Sequence, residues 1–528
     1  MIMIRPVYIP VITKLIDKRY RFKLRIINKG YRQLKNENKL DLPMQLRVVL
    51  SRVKLNDSSL PKGLLRQDDF DIELSVRQYL TERILGLSLN KSILLSLGSN
   101  KPLKHPLPKE WRSALLSQGV DVDNFISALL WRMYGFMFFG RGILRGLQGV
   151  YLLLLNRSHF GKHIYLNDIG ENCLSGDSGR HNIANWYLQW KNKAVAIDSI
   201  CHSVGSKPNF KLGKVDVVRT DGLPWLRGIK LFQYCGFFIY ASIYSLLSLF
   251  FVPSYGLFFE EVMKCKRVDL ASDNDLASDY LFHNSNPFYR PLWTYLVEKK
   301  GARVLLYFYS TNNEEFKTKY GYLLQSPWHL ISWPHYLVWD EFQADCIKRL
   351  DRHNSIIEVA GPIWFSSHET SIDIPVESIA VFDVTPARPT RYITLGASLE
   401  YYIYNTSSQF LGDIQSTLDN NNINMLHKMK RINRFAHKKY IRRVRRLSEK
   451  YNFIGVHPNV DALQIIQKTK ACISMPFTST ALTAKIEGKP SVYYDPSGMI
   501  QKDDRAAHGI PILTSIDELQ GWVKSLHG

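Results

Sequence analysis

The run Met475-Pro476-Phe477-Thr478-Ser479-Thr480 leads into a helical stretch, "STALTAKIE", that Gly488-Lys489-Pro490 closes. The first N–H groups of a helix have no partner within it, and the positive end of its dipole lies there, so a helix start attracts an anion. Capping alone needs one hydroxyl, and three in succession point beyond capping to a bound phosphate. Pro476, Phe477, Thr478, Ser479 and Thr480 are therefore expected to surround that phosphate. Lys428, Lys430 and Arg431 cluster at the end of the strand-like "INMLHKM" and offer fixed positive charge for the same anion. His457, in His457-Pro458, is either a phosphate ligand or general acid, or simply the turn that starts the next helix. For a general base, the best carboxylates are Asp168 and Glu171 in "LNDIGEN", although loop carboxylates are also often just solvated. His283 and Arg290 in "FHNSNPFYRPLW" flank a helix start and are candidates for holding an acidic group. The aromatics around them suit either stacking or core packing.

These residues need strand ends to hold them. From Ile379 onward short apolar runs alternate with helical periods: "IAVFDV", "YYIYNTSSQFLGDIQSTL", "INMLHKM", Arg434 to Lys450, "NFIGV", "DALQIIQKT", "ACISM", "STALTAKIE", "SVYYD" and "SIDELQGWVKSL". Strict alternation predicts a parallel sheet wound on both faces, with its ligand beyond the carboxyl ends of the strands. "HIYLNDI", "AVAIDSI", "ARVLLYFYS", "HYLVW" and "IIEVAG" repeat the style less cleanly between His163 and Gly361, with "RPLWTYLVEKKG" a helix. The expected division is a basic, mostly helical extension over 1–145, a Rossmann-like acceptor-side domain over 146–370 and a Rossmann-like donor domain over 371–528. The polar stretch 366–378 is the expected linker. Two doubly wound α/β domains facing a cleft describe the GT-B plan, which carries no chemistry by itself.

The chain has 528 residues and a formal net charge of +22, so its partner is expected to be anionic: nucleic acid, lipid headgroups or a phosphate-bearing substrate. No recognised nucleic-acid motif accompanies the charge, and nucleic acid is not expected. Much of the excess lies near the N-terminus and between His427 and Lys450, where Arg442, Arg443, Arg445 and Arg446 are expected on a helix facing solvent or membrane phosphates. Six scattered cysteines, with no CxxC pair, predict free thiols in a reducing compartment and argue against zinc. "SDND" at 272–275 is read as a turn, no metal site is expected, and no cofactor is expected. The N-terminus is too basic and Pro-broken for a signal peptide, so a cytoplasmic chain is expected. Cys235 to Val252 carries no charge and reads as a membrane span or as a buried or interfacial helix.

"PFTSTALTAKIEGKPSVYYDP" resembles the signature of bacterial surface-polysaccharide biosynthesis proteins named for their Pro-Phe-Thr-Ser motif. "FYRPLWTYLVEKKGARVLLYFYSTN" (288–312), "YLVWDEFQ" (336–343) and "VAGPIWF" (359–365) are similar to the same family, so the likeness runs from about Tyr289 to Pro496. The resemblance implies a GT-B-like transferase of capsule or O-antigen assembly. In the bacterial sialyltransferase and Kdo-transferase groups, a Lys–His–Pro strand end and a Ser/Thr pair bind the phosphate of a CMP-linked sugar. Lys428, Lys430 and Arg431 look like the equivalent strand end here. His457-Pro458 matches the dipeptide but lies only one helix before the hydroxyls, and Thr483 stands where many GT-B enzymes place an acid for the ribose. The implied activity is transfer of an acidic sugar, of nonulosonic acid or Kdo type, from a CMP donor to a glycan or lipid-linked oligosaccharide. It would be metal-independent, by a protein peripheral at the inner face of the cytoplasmic membrane. Alternatives are a UDP-sugar, GDP-sugar or polyol phosphate donor, or a non-catalytic basic protein that binds membrane or nucleic acid.

Overall fold

The computed structural model describes residues 10–55, 64, 72–155, 161–167, 169–170, 173–174, 182–190, 197–204, 209–284, 288–311, 314, 316–322, 327–351, 353–363, 373–395, 400–429, 436–458 and 460–526. Among them, helices come first: α1 (Pro10–Asn36), α2 (Leu42–Arg52), α3 (Ile72–Ile84), α4 (Leu87–Ser99), α5 (Lys109–Ser117) and α6 (Asn124–Leu155).

An eight-stranded sheet follows, in the order β10-β9-β6-β5-β1-β2-β4-β3. Its strands are β1 (His163–Asn167), β2 (Ser199–His202), β3 (Phe210–Leu212), β4 (Val215–Arg219), β5 (Asp279–Asn284), β6 (Arg303–Phe308), β9 (His335–Val338) and β10 (Ile356–Val359). All neighbours pair parallel except β3 with β4, a hairpin turned at Gly213 with φ +60°. A small ladder of β7 (Lys317–Thr318) and β8 (Gly321–Tyr322) stands apart. The accompanying helices are α7 (Ile183–Trp190), α8 (Ile229–Ser248), α9 (Ser254–Leu270), α10 (Trp293–Lys299) and α11 (Glu341–Leu350).

Alternate residues of these strands enter different cores, as the pleat requires. Tyr280, Phe282, Val304, Leu306, Tyr336 and Val338 face one, and Leu281, Leu305, Tyr307 and Leu337 face the other. With both faces covered, the central strands read as unbroken apolar runs.

The second sheet is six-stranded and parallel, ordered β13-β12-β11-β14-β15-β16. It comprises β11 (Ser378–Phe382), β12 (Asn424–Lys428), β13 (Phe453–Val456), β14 (Ala471–Ser474), β15 (Ser491–Tyr494) and β16 (Ile512–Leu513). Between and after them run α12 (Pro389–Leu395), α13 (Tyr404–Asp419), α14 (Lys438–Leu447), α15 (Ala462–Lys468), α16 (Ser479–Ile486) and α17 (Ile516–Ser525). The expected α/β architecture with two parallel sheets and a helical N-terminal region is what the chain adopts.

The N-terminal helices are built into the rest of the protein. Tyr79 packs against Phe258 and Tyr289, with ring centroids 4.8 and 5.0 Å away, and the Gln78 amide donates to Ser332 Oγ at 2.7 Å. Helices α1 and α4 cross so closely at Gly30 and Gly98 that a methyl group on either would collide with the other's backbone. The same pair reaches the second sheet. Ile27, Leu34 and Leu94 bury Ile393 of α12, Asn90 Nδ2 donates to the Thr394 carbonyl at 3.1 Å, and Lys35 pairs with Glu400 at 2.6 Å.

The uncharged segment expected at 235–252 overlaps α8, which begins earlier and ends at Ser248. Its 18-residue core has a mean hydropathy of 1.3, long and apolar enough to cross a membrane, and only 17% of that window is buried. A core helix is thus excluded for it. The "SDND" stretch is a short 3-10 turn, as read, and the six cysteines are free thiols.

Candidate active site

Strand order in the second sheet reverses between β11 and β14: the chain leaves β11 towards β12 and β13 on one side, then returns to β14, β15 and β16 on the other. Such a switch point opens a crevice at the carboxyl ends of the two strands. The residues that follow β14 are Met475-Pro476-Phe477-Thr478, so the hydroxyl motif occupies that crevice. The Met475 N–H donates to the Phe382 carbonyl of β11 at 2.8 Å and ties the motif to the sheet.

Phe477 has φ +60°, in the left-handed region that costs a side-chain-bearing residue about 1–2 kcal/mol. Its surroundings hold it there. The ring is stacked on Phe316 (centroids 4.9 Å apart, 8° between planes) and on Tyr493 (5.8 Å, 27°). The Tyr402 hydroxyl donates to the Pro476 carbonyl at 3.0 Å and the Tyr493 hydroxyl to the Thr478 carbonyl at 3.2 Å. Backbone strain of this kind persists only where neighbours over-determine it, and it concentrates at functional sites.

Thr478 is the N-cap residue of α16, yet its side chain does not cap the helix. The hydroxyl turns back, donating to the Met475 carbonyl at 2.8 Å and lying 3.2 Å from Thr480 Oγ1, which is 2.9 Å from Ser474 Oγ. The three hydroxyls expected on the phosphate therefore divide. Thr478 and Thr480 build the turn, while half-exposed Ser479 stands outside that network. With Thr478 turned away, its side chain leaves the first-turn N–H groups of α16 unclaimed, and those groups with the Ser479 hydroxyl form an anion-directed end.

Lys428 ends β12, in register with Phe382 on β11, next to the crevice and half-buried. Lys430, Arg431, Asp168 and Glu171 lie outside the described residues. His457 is exposed at the end of edge strand β13, three strand spacings from β14, or about 14 Å. Its carbonyl accepts from Val460 N–H at 3.0 Å in the turn that leads to α15, so the turn reading of this dipeptide fits and the phosphate contact does not. Thr483 is also structural, donating to the Ser479 carbonyl at 2.8 Å, and Glu487 accepts from Gln467 at 2.9 Å.

His283 and Arg290 need correction. His283 lies in central strand β5, not beside a helix start, and β5 with β1 forms the switch point of the first sheet. Burial pushes its imidazole down to about 4, so at neutral pH it brings no positive charge to an acidic group. Its ring stacks on Tyr307 at 5.4 Å. Arg290 is 4% exposed. The guanidinium donates to Thr294 Oγ1 at 3.1 Å, to the Ser332 carbonyl at 3.2 Å and to Glu298, and lies over the Tyr295 ring at 3.8 Å. A cation so fully engaged holds the fold rather than a sugar.

The two sheets meet along their carboxyl ends. Asp340, just past β9, caps α11 by accepting from Gln343 N–H at 2.9 Å and pairs with His508 Nδ1 at 2.6 Å. Burial alone would raise the Asp340 carboxyl, but His508, the Gln343 N–H and Lys485 outweigh it and hold it below the ordinary value. Lys485 Nζ donates to the His508 carbonyl at 2.8 Å. Glu314 takes Arg505 and Arg349, each at 2.9 Å, the Lys317 N–H donates to Asp504, and Thr318 bridges Ile500. Phe316 also packs on Tyr401 (5.4 Å), whose hydroxyl donates to buried Asp495 at 3.1 Å.

Asp340, Asp383, Asp495, Tyr401 and Tyr402 escaped the sequence reading. The three aspartates share a signal, since each follows a strand by one or two positions, where a carboxylate has no role in the sheet. Asp383 is 2% exposed and accepts from the Tyr440 hydroxyl at 2.5 Å; its other oxygen is 3.4 Å from His427 Nε2 but poorly aligned for a hydrogen bond.

Two doubly wound sheets joined across their carboxyl ends, with an anion-directed helix start at one switch point, define a protein of the GT-B plan. More particularly, the chain belongs to the polysaccharide biosynthesis PFTS motif proteins, a family matched over residues 244–523. No curated protein matches it in sequence. Solved structures similar in plan include the wall teichoic acid polymerase TagF (12% identity, 74% of this chain and 88% of that one, TM-score 0.36). Phytolacca americana UGT2, complexed with UDP-2fluoro-glucose and pterostilbene, is another (10%, 69% and 90%, 0.35), as is S. aureus MnaA with UDP (8%, 70% and 88%, 0.35). Likeness at this level carries no function.

Proposed function

We propose that this protein is a glycosyltransferase of surface-polysaccharide assembly, either capsule or O-antigen. It takes an acidic sugar of nonulosonic acid or Kdo type from a CMP-activated donor and passes it to a glycan or lipid-linked oligosaccharide. The observation that carries the reading is the uncapped start of α16 at the switch point, within a family described by polysaccharide biosynthesis. As the bond from sugar to phosphate oxygen breaks, negative charge grows on the departing phosphate. First-turn N–H groups and the Ser479 hydroxyl stabilise it there, with Lys428, Lys430 and Arg431 as the flanking cations. The acceptor hydroxyl forms the new glycosidic bond and gives its proton to a base from the carboxyl edge of the first sheet, for which Asp168 and Glu171 are the candidates.

Transfer in this reading proceeds without a metal, the departing phosphate being met by the start of α16 and the flanking cations. The net charge of +22 and the free thiols support a place at the cytoplasmic face of the membrane. Thermal unfolding with CMP, CDP, UDP and GDP in turn tests the donor. A ligand at about 100 times its Kd stabilises by about 2.7 kcal/mol, which gives a readable upward shift. The cytidine nucleotides should give the largest. A preference for UDP or GDP would replace the donor and keep the class, and no response to any nucleotide would favour a non-catalytic protein.

A further inference from the structure

The outer faces of α6 and α8 are bare. The helices run antiparallel, with Phe136 of α6 meeting Phe250 (5.6 Å) just past the end of α8, and Gly146 lying against Phe238. Their inner faces rest on α9, where Gly135 and Gly256 let the α6 and α9 backbones touch and Phe139 packs on Phe259 at 5.1 Å. On the outside, Phe125, Met137, Leu144 and Leu154 of α6 are exposed within about 120° of its circumference. Ile229, Phe232, Ile239, Ile243 and Leu247 do the same within about 80° of α8, followed by Phe251 at 87% exposure. At 1.5 Å per residue, α8 makes this surface about 30 Å long. A monomer rarely shows water so large an apolar patch.

Charge says what covers it. Neither 124–155 nor 227–253 contains an Asp or Glu, whereas Arg132, Arg141, Arg145, Arg227 and Lys230 flank the apolar arcs. An apolar face whose own two helices bring only cations to its border, one of them (Arg141) paired with Glu260 of α9 at 3.7 Å, is the pattern of helices lying in a membrane interface, with the apolar side among acyl chains and the remaining cations at headgroup phosphates. Another protein surface would be expected to meet this border with carboxylates, and a second copy of this chain would bring like charges to the same border.

We propose that α6 and α8 together lie in the plane of one leaflet of an anionic phospholipid bilayer, inserting this face without crossing. The proposal deepens the membrane side of the reading above but uses none of its nucleotide-contacting residues. Loss of nucleotide binding would leave it standing, and loss of membrane binding would leave transfer to a soluble acceptor intact.

The test is flotation of the full chain with vesicles of phosphatidylcholine alone or mixed with phosphatidylglycerol. Wild type should float with the mixed vesicles and stay with them in high salt, which removes purely electrostatic adhesion. The double variant Phe232→Ser/Phe251→Ser, at two exposed positions, should keep its thermal midpoint and partition at least tenfold less. Arg132→Gln/Arg145→Gln should weaken partition to the mixed vesicles while leaving the weaker partition to phosphatidylcholine alone unchanged. Release by salt, or flotation unaffected by the serine pair, overturns the proposal. So does a concentration-dependent dimer that the serine pair dissociates, if vesicles do not compete with it.

Discussion

Phe477 of the second sheet lies face to face with Phe316, which the loop beyond β6 of the first sheet delivers. A ring from one sheet thus offsets the strain of the other sheet's left-handed residue, and the anion-directed end of α16 is formed only where the two halves meet. Phe316→Ala should lower the unfolding free energy by about 3–5 kcal/mol, the usual cost of emptying a buried aromatic site. It should also weaken nucleotide binding, while Phe316→Tyr keeps both. Urea denaturation and calorimetric titration with CMP read the two effects.

The division among the motif hydroxyls sets a second expectation. Ser479→Ala should reduce transfer by about 10²–10³-fold, the loss typical of one preorganised donor, with little change in thermal midpoint. Thr478→Val should mainly destabilise, because it strips a buried bond to the Met475 carbonyl. If the two variants lost activity and stability in the same proportion, the division would be wrong.

Much of the second sheet was legible because each strand is an apolar run and each helix an amphipathic period. "ACISM" and "STALTAKIE" fall on β14 and α16 almost residue for residue. Central strand β5 was not legible. Asp279 and His283 interrupt its apolar pattern, and only the fold shows that Asp279 is buried under a two-bonded Arg303 (2.8 and 2.7 Å) and the Tyr187 hydroxyl. That one missed strand displaced His283 to a helix start and made Arg290 look available. The short α12 and β16 carry too few residues for a period to register.

Three histidines make a pH prediction. Burial lowers His105, His202 and His283 to about 4 each, from an ordinary value near 6.5. The unfolded chain therefore takes up protons first as pH falls. Stability should be full above about 6.5 and decline steadily down to about 4. Denaturation midpoints across that range should slope downward, and His283→Gln should flatten part of the slope.

The Asp340–His508 pair should lose stability in the same direction but at lower pH. Because the Asp340 carboxyl is held below its ordinary value near 3.9, its contribution is present above that value and lost as pH falls through the lower folded one. A double-mutant cycle with Asp340→Asn and His508→Ala should give a coupling of about 0.5–3 kcal/mol at pH 6, vanishing in strong acid.

Metal removal provides the last test. EDTA should leave turnover unchanged, and complete inhibition reversed by magnesium would show that the departing phosphate is neutralised by a cation rather than by the start of α16.

The packed pair α1 and α4 touches the C-terminal half at Ile393 of α12 and at Glu400, apart from the junction that Glu314, Phe316 and Thr318 make. Among the described residues, these two separated groups of contacts define a line. Any opening of one half against the other that preserves both contacts must be a rotation about that line, like a door on two pins, with sliding and twisting suppressed. Gly30 and Gly98 set how close α1 can draw to α4, so they fix where one of the pins stands. A side chain at either glycine would tilt the axis of the door without touching the site it opens.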